Sequence, residues 1–113
     1  MNFDVSRAKI SVTMPVKFID KMRTEIFKIG AGNIGNYTNC SICTKCKGTF
    51  KPSSSANPHV GEQNKLEFLD EIRLEINCDI AKVSDVIKRI KEIHPYEEPV
   101  IDIIPLFDES NFK

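Results

Sequence analysis

The hydrophobic pattern of this chain changes period in the same way twice, and that repetition limits the folds open to it. From Lys9 to Met14 apolar and polar residues alternate, with Ile10, Val12 and Met14 on one side and Lys9, Ser11 and Thr13 on the other. This is the pattern of a half-buried strand. Pro15 suits the first turn of a helix, where its missing N–H does no harm. Val16, Ile19, Met22, Ile26 and Ile29 then recur at helical spacing, which predicts an amphipathic helix of about four turns. Gly30 and Gly32 stop it, since each tolerates the positive φ of a C-terminal cap. The second half repeats the sequence of events. Glu67 to Cys78 alternates, with Ile72, Leu74, Ile76 and Cys78 facing one way and Glu71, Arg73, Glu75 and Asn77 the other. A helix is predicted from about Ala81, with Val83, Val86, Ile87, Ile90 and Ile93 inward. Val100 to Leu106 is nearly all apolar apart from Asp102 and reads as a more deeply buried strand.

Between the halves the pattern is weaker. Tyr37 to Thr44, rich in Thr, Tyr, Ile and Cys, predicts a strand. Residues 47 to 65 carry Gly48, Pro52, three consecutive serines, Asn57-Pro58 and Gly61 and predict a long loop, with a short hairpin arm at Thr49-Phe50-Lys51. A loop of that length in a small domain is either disordered or functional. The expected order is strand, helix, strand, strand, helix, strand. That is the α+β, ferredoxin-like β-α-β-β-α-β arrangement, with a four-stranded antiparallel sheet and two helices on one face. The other face, carrying Lys9, Ser11, Thr13, Glu71, Arg73 and Glu75, is expected to be polar and flat, which suits a contact between subunits.

A length of 113 residues predicts one domain, residues 1–113, with one core. The 16 basic and 16 acidic side chains cancel, which gives no electrostatic case for nucleic acid or an anionic membrane as partner. No apolar run reaches membrane-spanning length. The stretch Met1 to Arg7 has no apolar core and does not read as a secretory signal, so a cytoplasmic location is expected. In a reducing cytosol Cys40, Cys43, Cys46 and Cys78 are thiols or metal ligands rather than disulfides.

Two segments carry groups with chemistry. In Cys40-x-x-Cys43-x-x-Cys46 the first pair has the spacing of a zinc knuckle, and His59 or Cys78 could supply a fourth ligand. Against this, Cys43 in a regular strand points opposite to Cys40 and Cys46. Phe50 also stands where an iron–sulfur spacing expects a cysteine. Cys78 ends an apolar strand face and reads as a small core residue. His94-Pro95-Tyr96-Glu97-Glu98-Pro99 is a proline-stiffened turn between helix and strand. His94 there is either a metal ligand or proton carrier, or a residue that settles against the helix C-terminus. Tyr96 packs its ring and bonds through its hydroxyl. Glu97 and Glu98, being adjacent, point apart and make a poor acid–base pair. Gly30-x-Gly32-x-x-Gly35 has the letters of a dinucleotide fingerprint but follows a helix instead of opening one, so it reads as a cap and turn.

Three stretches together resemble one family. They are Gly35-Asn36-Tyr37-x-x-Cys40-Ser41, then Gly48-Thr49-Phe50-Lys51-Pro52 running on to Ala56-Asn57-Pro58-His59-Val60-Gly61-Glu62, and His94-Pro95-Tyr96-Glu97-Glu98-Pro99 with Asp102. They look like the inserted domain of the NGG-interacting-factor-three-like (YqfO-type) proteins, over about residues 8 to 107. The His-Pro-Tyr-Glu turn also resembles the CutA divalent-cation-tolerance proteins, of PII-like architecture. The resemblance implies a cap or regulatory module, while the dinuclear metal site of the larger relatives lies in flanking domains that this chain does not contain. It further implies that Tyr37, Cys40, Pro58, Gly61, His94, Tyr96 and Glu97 converge on one surface. Cys43, Cys46 and the run Ser53-Ser54-Ser55 depart from the family pattern.

The expected function is a non-enzymatic, oligomeric binding or regulatory module that senses a divalent metal or a small ligand. No catalytic constellation is visible. Expected ligand-binding residues are Tyr37, Pro58, Gly61, His94, Tyr96 and Glu97. Expected metal ligands, for zinc or copper, are Cys40, Cys43, Cys46, His59 and His94. The expected partner is a further copy of the chain, as trimer by the CutA and PII analogy or dimer by base rates. The alternatives are an accessory subunit of a metal-dependent hydrolase, working with a protein partner, and a purely structural module.

Overall fold

The computed structural model describes residues 4–112. The first residues of the stretch 1–7, read above for a secretory signal, lie outside them. The repeated strand–helix pattern folds into β1 (Arg7–Met14), α1 (Ile19–Ile29), β2 (Ile42–Phe50), β3 (Glu67–Asp79), α2 (Ile80–Ile93) and β4 (Ile101–Leu106). The strands form one antiparallel sheet in the order β2-β3-β1-β4. This is the ferredoxin-like α+β arrangement. Both helices pack on one face, where Ile10, Val12, Met14, Met22, Ile26, Leu74, Ile76, Val86 and Ile90 close a single apolar core. Cys78 lies in that core, and burial pushes its thiol pKa up, as expected of a small core residue.

The boundaries differ from the sequence pattern where local signals conflict. Pro15 has extended backbone, so the chain makes a 3-10 turn at Val16–Phe18 before α1 begins at Ile19. Val16 therefore sits outside the helical face and is exposed. β2 lies later than Tyr37–Thr44, because residues 30–41 are spent on a backbone-bonded turn. The loop accordingly begins at residue 51, and Thr49 and Phe50 end β2 opposite Phe68 and Glu67.

The expectation of a deeply buried β4 is overturned. β4 is an edge strand: Ile103 and Ile104 are exposed, and of its apolar side chains Ile101 is the one packed on the core. Its apolar run reflects what the sheet edge offers to the outside, and Pro105 fits that edge because no ladder donor is needed there. The outer face is polar, as expected, but not flat. Ser11 and Glu71 are buried. β3 explains the second: residues 67–71 run past the end of β1 and pair with β2 alone, which leaves a step on the outer face that other segments fill.

Candidate functional site

The step is filled by the turn that leaves α2. Pro95 cannot continue the helix and turns the preceding residue to extended backbone, so His94 closes α2 with ψ 133° and its N–H donates to Ile90 O at 2.8 Å. Its imidazole folds under the end of β1. Nε2–H donates to Thr13 O at 2.7 Å, and Nδ1 accepts the Tyr96 N–H at 3.1 Å. Both ring nitrogens are satisfied in the neutral form. Burial holds the His94 pKa below the usual histidine range, because the charged form would lose its solvation and the Nδ1 acceptor together.

Tyr96 follows, its ring centroid 4.8 Å from that of His94. Its hydroxyl donates to Glu71 Oε2 at 2.9 Å. Burial, then the bond to Glu71, pushes the phenol well above its usual range. Glu71, 8% exposed, has room because Gly48 lies beside it: a Cβ built on Gly48 would collide with Glu71 Oε1. A glycine inside a strand marks such a close approach. Glu97 then reaches the long loop, its carboxylate accepting the Asn57 N–H at 3.1 and 3.2 Å. Inside that loop Asn64 N–H donates to Pro52 O at 2.6 Å and Gln63 Nε2 to Ala56 O at 2.8 Å.

Loop and turn together enclose a cleft of about 420 Å³ over the end of the sheet, lined by Phe50, Pro52, Pro58, His59, Tyr96 and Glu97, with Glu71 on its floor. The His59 ring lies 6.4 Å from those of both Phe18 and Tyr96. The arrangement offers apolar walls, a buried carboxylate and two rings. Groups of this kind can hold a small molecule through apolar contact and hydrogen bonds.

Of the residues expected to bind a ligand, the structure brings Pro58, Tyr96 and Glu97 to this cleft, with His59 beside them. His94 supports it from behind. Gly61, at φ +89°, closes the loop against Phe50 and Glu67 and does not line it. Tyr37 and Cys40 lie elsewhere. Their turn is bonded to Asn77 through Gly32, whereas the cleft is built on Glu71. Six residue steps along β3 separate the two, roughly 20 Å at strand rise. Within one chain the expected convergence on one surface does not occur.

The metal set is dispersed for the same reason. Cys43 pairs with Leu74 and packs toward the core, with Arg23 Nη1 3.7 Å from its Sγ, whereas Cys46 stands opposite Glu71 on the other face. The Cys40 Sγ lies 3.7 Å from Thr38 O. His94 has no free lone pair to give. Among the described residues no three or more His, Cys, Asp or Glu side chains gather as a metal site. The residues present therefore do not fit a zinc or copper ion held by one chain.

Sequence reasoning missed Glu71 and Gly48 as parts of the site. Glu71 falls on the polar phase of an alternating strand and reads as solvated. The signal available was Gly48, an unexplained glycine in an otherwise β-prone run.

Fold and site define the chain as a ferredoxin-like α+β unit with a ligand-sized cleft between its longest loop and the turn after its second helix. No family model matches it. It is 39% identical over 102 residues to a GTP cyclohydrolase 1 type 2 homolog of Halalkalibacterium halodurans, covering 90% of this chain and 27% of the relative. It is 36% identical over 98 residues to the protein of the same name from Bacillus subtilis, covering 87% and 26%. A solved Bacillus cereus protein related to NIF3 superposes with TM-score 0.78 at 32% identity, over 93% of this chain and 27% of that one. The periplasmic divalent cation tolerance protein CutA from Archaeoglobus fulgidus shares the fold, with TM-score 0.67 and 19% identity over 88% and 83%. The chain is thus homologous to one segment of the GTP cyclohydrolase 1 type 2 homologs, the NIF3/YqfO family. It spans about a quarter of the length of the curated relatives it matches.

Proposed function

We propose that this chain is a non-enzymatic binding or regulatory module that takes a small ligand in the cleft between residues 50–60 and 96–100. The observation that carries the reading is the buried Glu71 carboxylate bonded to the half-buried Tyr96 hydroxyl at a 420 Å³ cleft, a volume in the range of small-molecule sites. Isothermal titration and thermal-shift assays across amines, nucleotides, carboxylates and divalent ions test it. A stabilising ligand whose effect is lost in Tyr96→Phe supports the module. Silence across the panel removes the binding reading and leaves a purely structural role.

The module is proposed to act as a homo-oligomer, trimer or dimer, in the cytoplasm. The exposed apolar residues Val100, Ile103 and Ile104 at the β4 edge support self-association, and light scattering measures it. A divalent ion is a second reading. It is favoured by the name divalent cation tolerance protein on structures of the same fold, and would need ligands from another copy. A third rests on the relatives' name: a part attached to, or partnered with, a metal-dependent hydrolase core. Among the described residues no helix is long and apolar enough to cross a membrane. Affinity capture followed by a cyclohydrolase assay tests the third reading, and recovery of no such core removes it.

A further inference from the structure

Glu71 is nearly buried, yet its Oε1 has no hydrogen-bond partner among the described residues; since no fully buried side-chain oxygen or nitrogen there is left unpaired, Oε1 reaches the open space beside it. Carboxylates buried this deeply are almost always paired with a cation or saturated with donors. Among the described residues its one hydrogen bond comes from the Tyr96 hydroxyl, on Oε2, and no lysine or arginine lies within ion-pair distance. Lys51 lines the same cleft without pairing to it, and Lys47, the residue after Cys46, pairs with Asp70 instead. A carboxylate has about four acceptor positions, so Oε1 is left to answer to something else. That oxygen rests against Gly48, at the junction of the 420 Å³ cleft and a neighbouring recess of about 260 Å³ lined by Thr13, Gly48 and Thr49.

Resting on the ligand-binding reading above, we propose that Glu71 recognises an organic cation, a primary ammonium or guanidinium group carried on an apolar body. The charged group sits on Glu71 Oε1, which itself fills the space that Gly48 leaves, and faces the junction of the cleft and the recess. The body lies along Phe50, Pro52 and Pro58. The rings of Tyr96 and Phe50 border the same space and favour a cation over a neutral group. Glu97, Glu98 and Lys51 line the cleft, and Asp102, Lys47 and Arg73 line the recess, so with Glu71 the two carry four carboxylates against three cations. A bare divalent ion fits less well. It asks for several oxygen, nitrogen or sulfur ligands at once, whereas an ammonium is satisfied by directional bonds to one carboxylate. Gly48 is a positioning residue here, since any side chain would push the carboxylate away.

The test uses the intact chain and a matched set: phenethylamine, the neutral 2-phenylethanol, the anionic phenylacetate, and zinc chloride alone, each by isothermal titration and thermal shift. The amine is expected to bind, with the alcohol and acid weaker by about tenfold or more, the scale of one charge-assisted bond. Glu71→Gln keeps the size and the Tyr96 bond but removes the charge, and is expected to lower amine affinity by a similar factor. Equal binding of amine and alcohol, or an unchanged Glu71→Gln variant, overturns the cation while leaving the cleft reading intact. Binding of zinc alone overturns it in favour of a metal. No binding by any member, together with silence across the wider panel, overturns both. The comparison among ligands on the unmutated chain stands even where the variant does not fold.

Discussion

The two connections that lead from a helix into a strand solve the same problem by different means. After α1, residues 30–41 close on themselves through the backbone. Gly32 N–H donates to Asn77 O at 2.8 Å, Cys40 N–H to Gly32 O at 2.9 Å, and Ile34 and Tyr37 exchange bonds of 2.9 Å. Their side chains are left over, and Ile34 and Tyr37 stand in solvent. After α2, Pro95 and Pro99 supply no N–H, and the turn is closed by side chains: His94 to Thr13, Tyr96 to Glu71, Glu97 to Asn57. Glycine makes the first turn possible and proline forces the second to recruit its polar groups inward. The second lines a cleft, because there polar and aromatic side chains are aimed inward by the fold.

The comparison is broken most severely at His94. Replacing it with alanine strands the Thr13 carbonyl and the Tyr96 N–H and leaves a gap under the turn. A loss of about 3 kcal/mol is expected in chemical denaturation. At the first connection, Gly32→Ala puts a Cβ 2.8 Å from Cys40 O at φ +87°, and a loss of about 2 kcal/mol is expected. Ligand response at the cleft should survive that change, since no side chain of the first turn reaches it. A Gly32 variant that abolishes binding would show the two ends to be coupled.

Titration gives a third contrast. The folded His94 pKa lies below its unfolded value. Below about pH 6.5 the unfolded chain binds a proton that the folded chain resists, so stability falls as pH drops through that window and is flat above it. Denaturation curves between about pH 8 and about pH 5 measure the slope, and His94→Asn should flatten it. The smallest effect is at the rim. Glu97→Gln removes the charge from an exposed bond to Asn57 and should cost about 0.5 kcal/mol or less. Hydrogen exchange at the Asn57 amide should quicken while that of Thr13 and its neighbours in β1 does not.

Much of the fold is legible because its signals are local. The alternation at Lys9–Met14 and Glu67–Cys78, the helical spacing of Met22 and Ile26 and of Val86 and Ile90, and the stop at Gly30 each lie within a few residues of one another. The site was legible only in part. The motifs named Pro58, Tyr96 and Glu97, which line the cleft, and they named His94 as a ligand or as a residue settled against the helix end; a sequence does not show that both its nitrogens are taken. Cys43 and Cys46 share a motif spacing yet face opposite sides of β2, a consequence of strand geometry that overrides the attraction of a thiol pattern.

What the chain determined through its own neighbours is periodicity: which stretches become strands, which become helices, and where proline and glycine end them. What only the tertiary structure decided is burial across distance. Glu71 takes a hydrogen bond from a tyrosine 25 residues away and rests beside a glycine on the adjacent strand. β4, apolar by sequence, is left at the edge. Burial depends on which strands come to lie side by side and on what closes over their ends, and no periodicity along one strand carries that information.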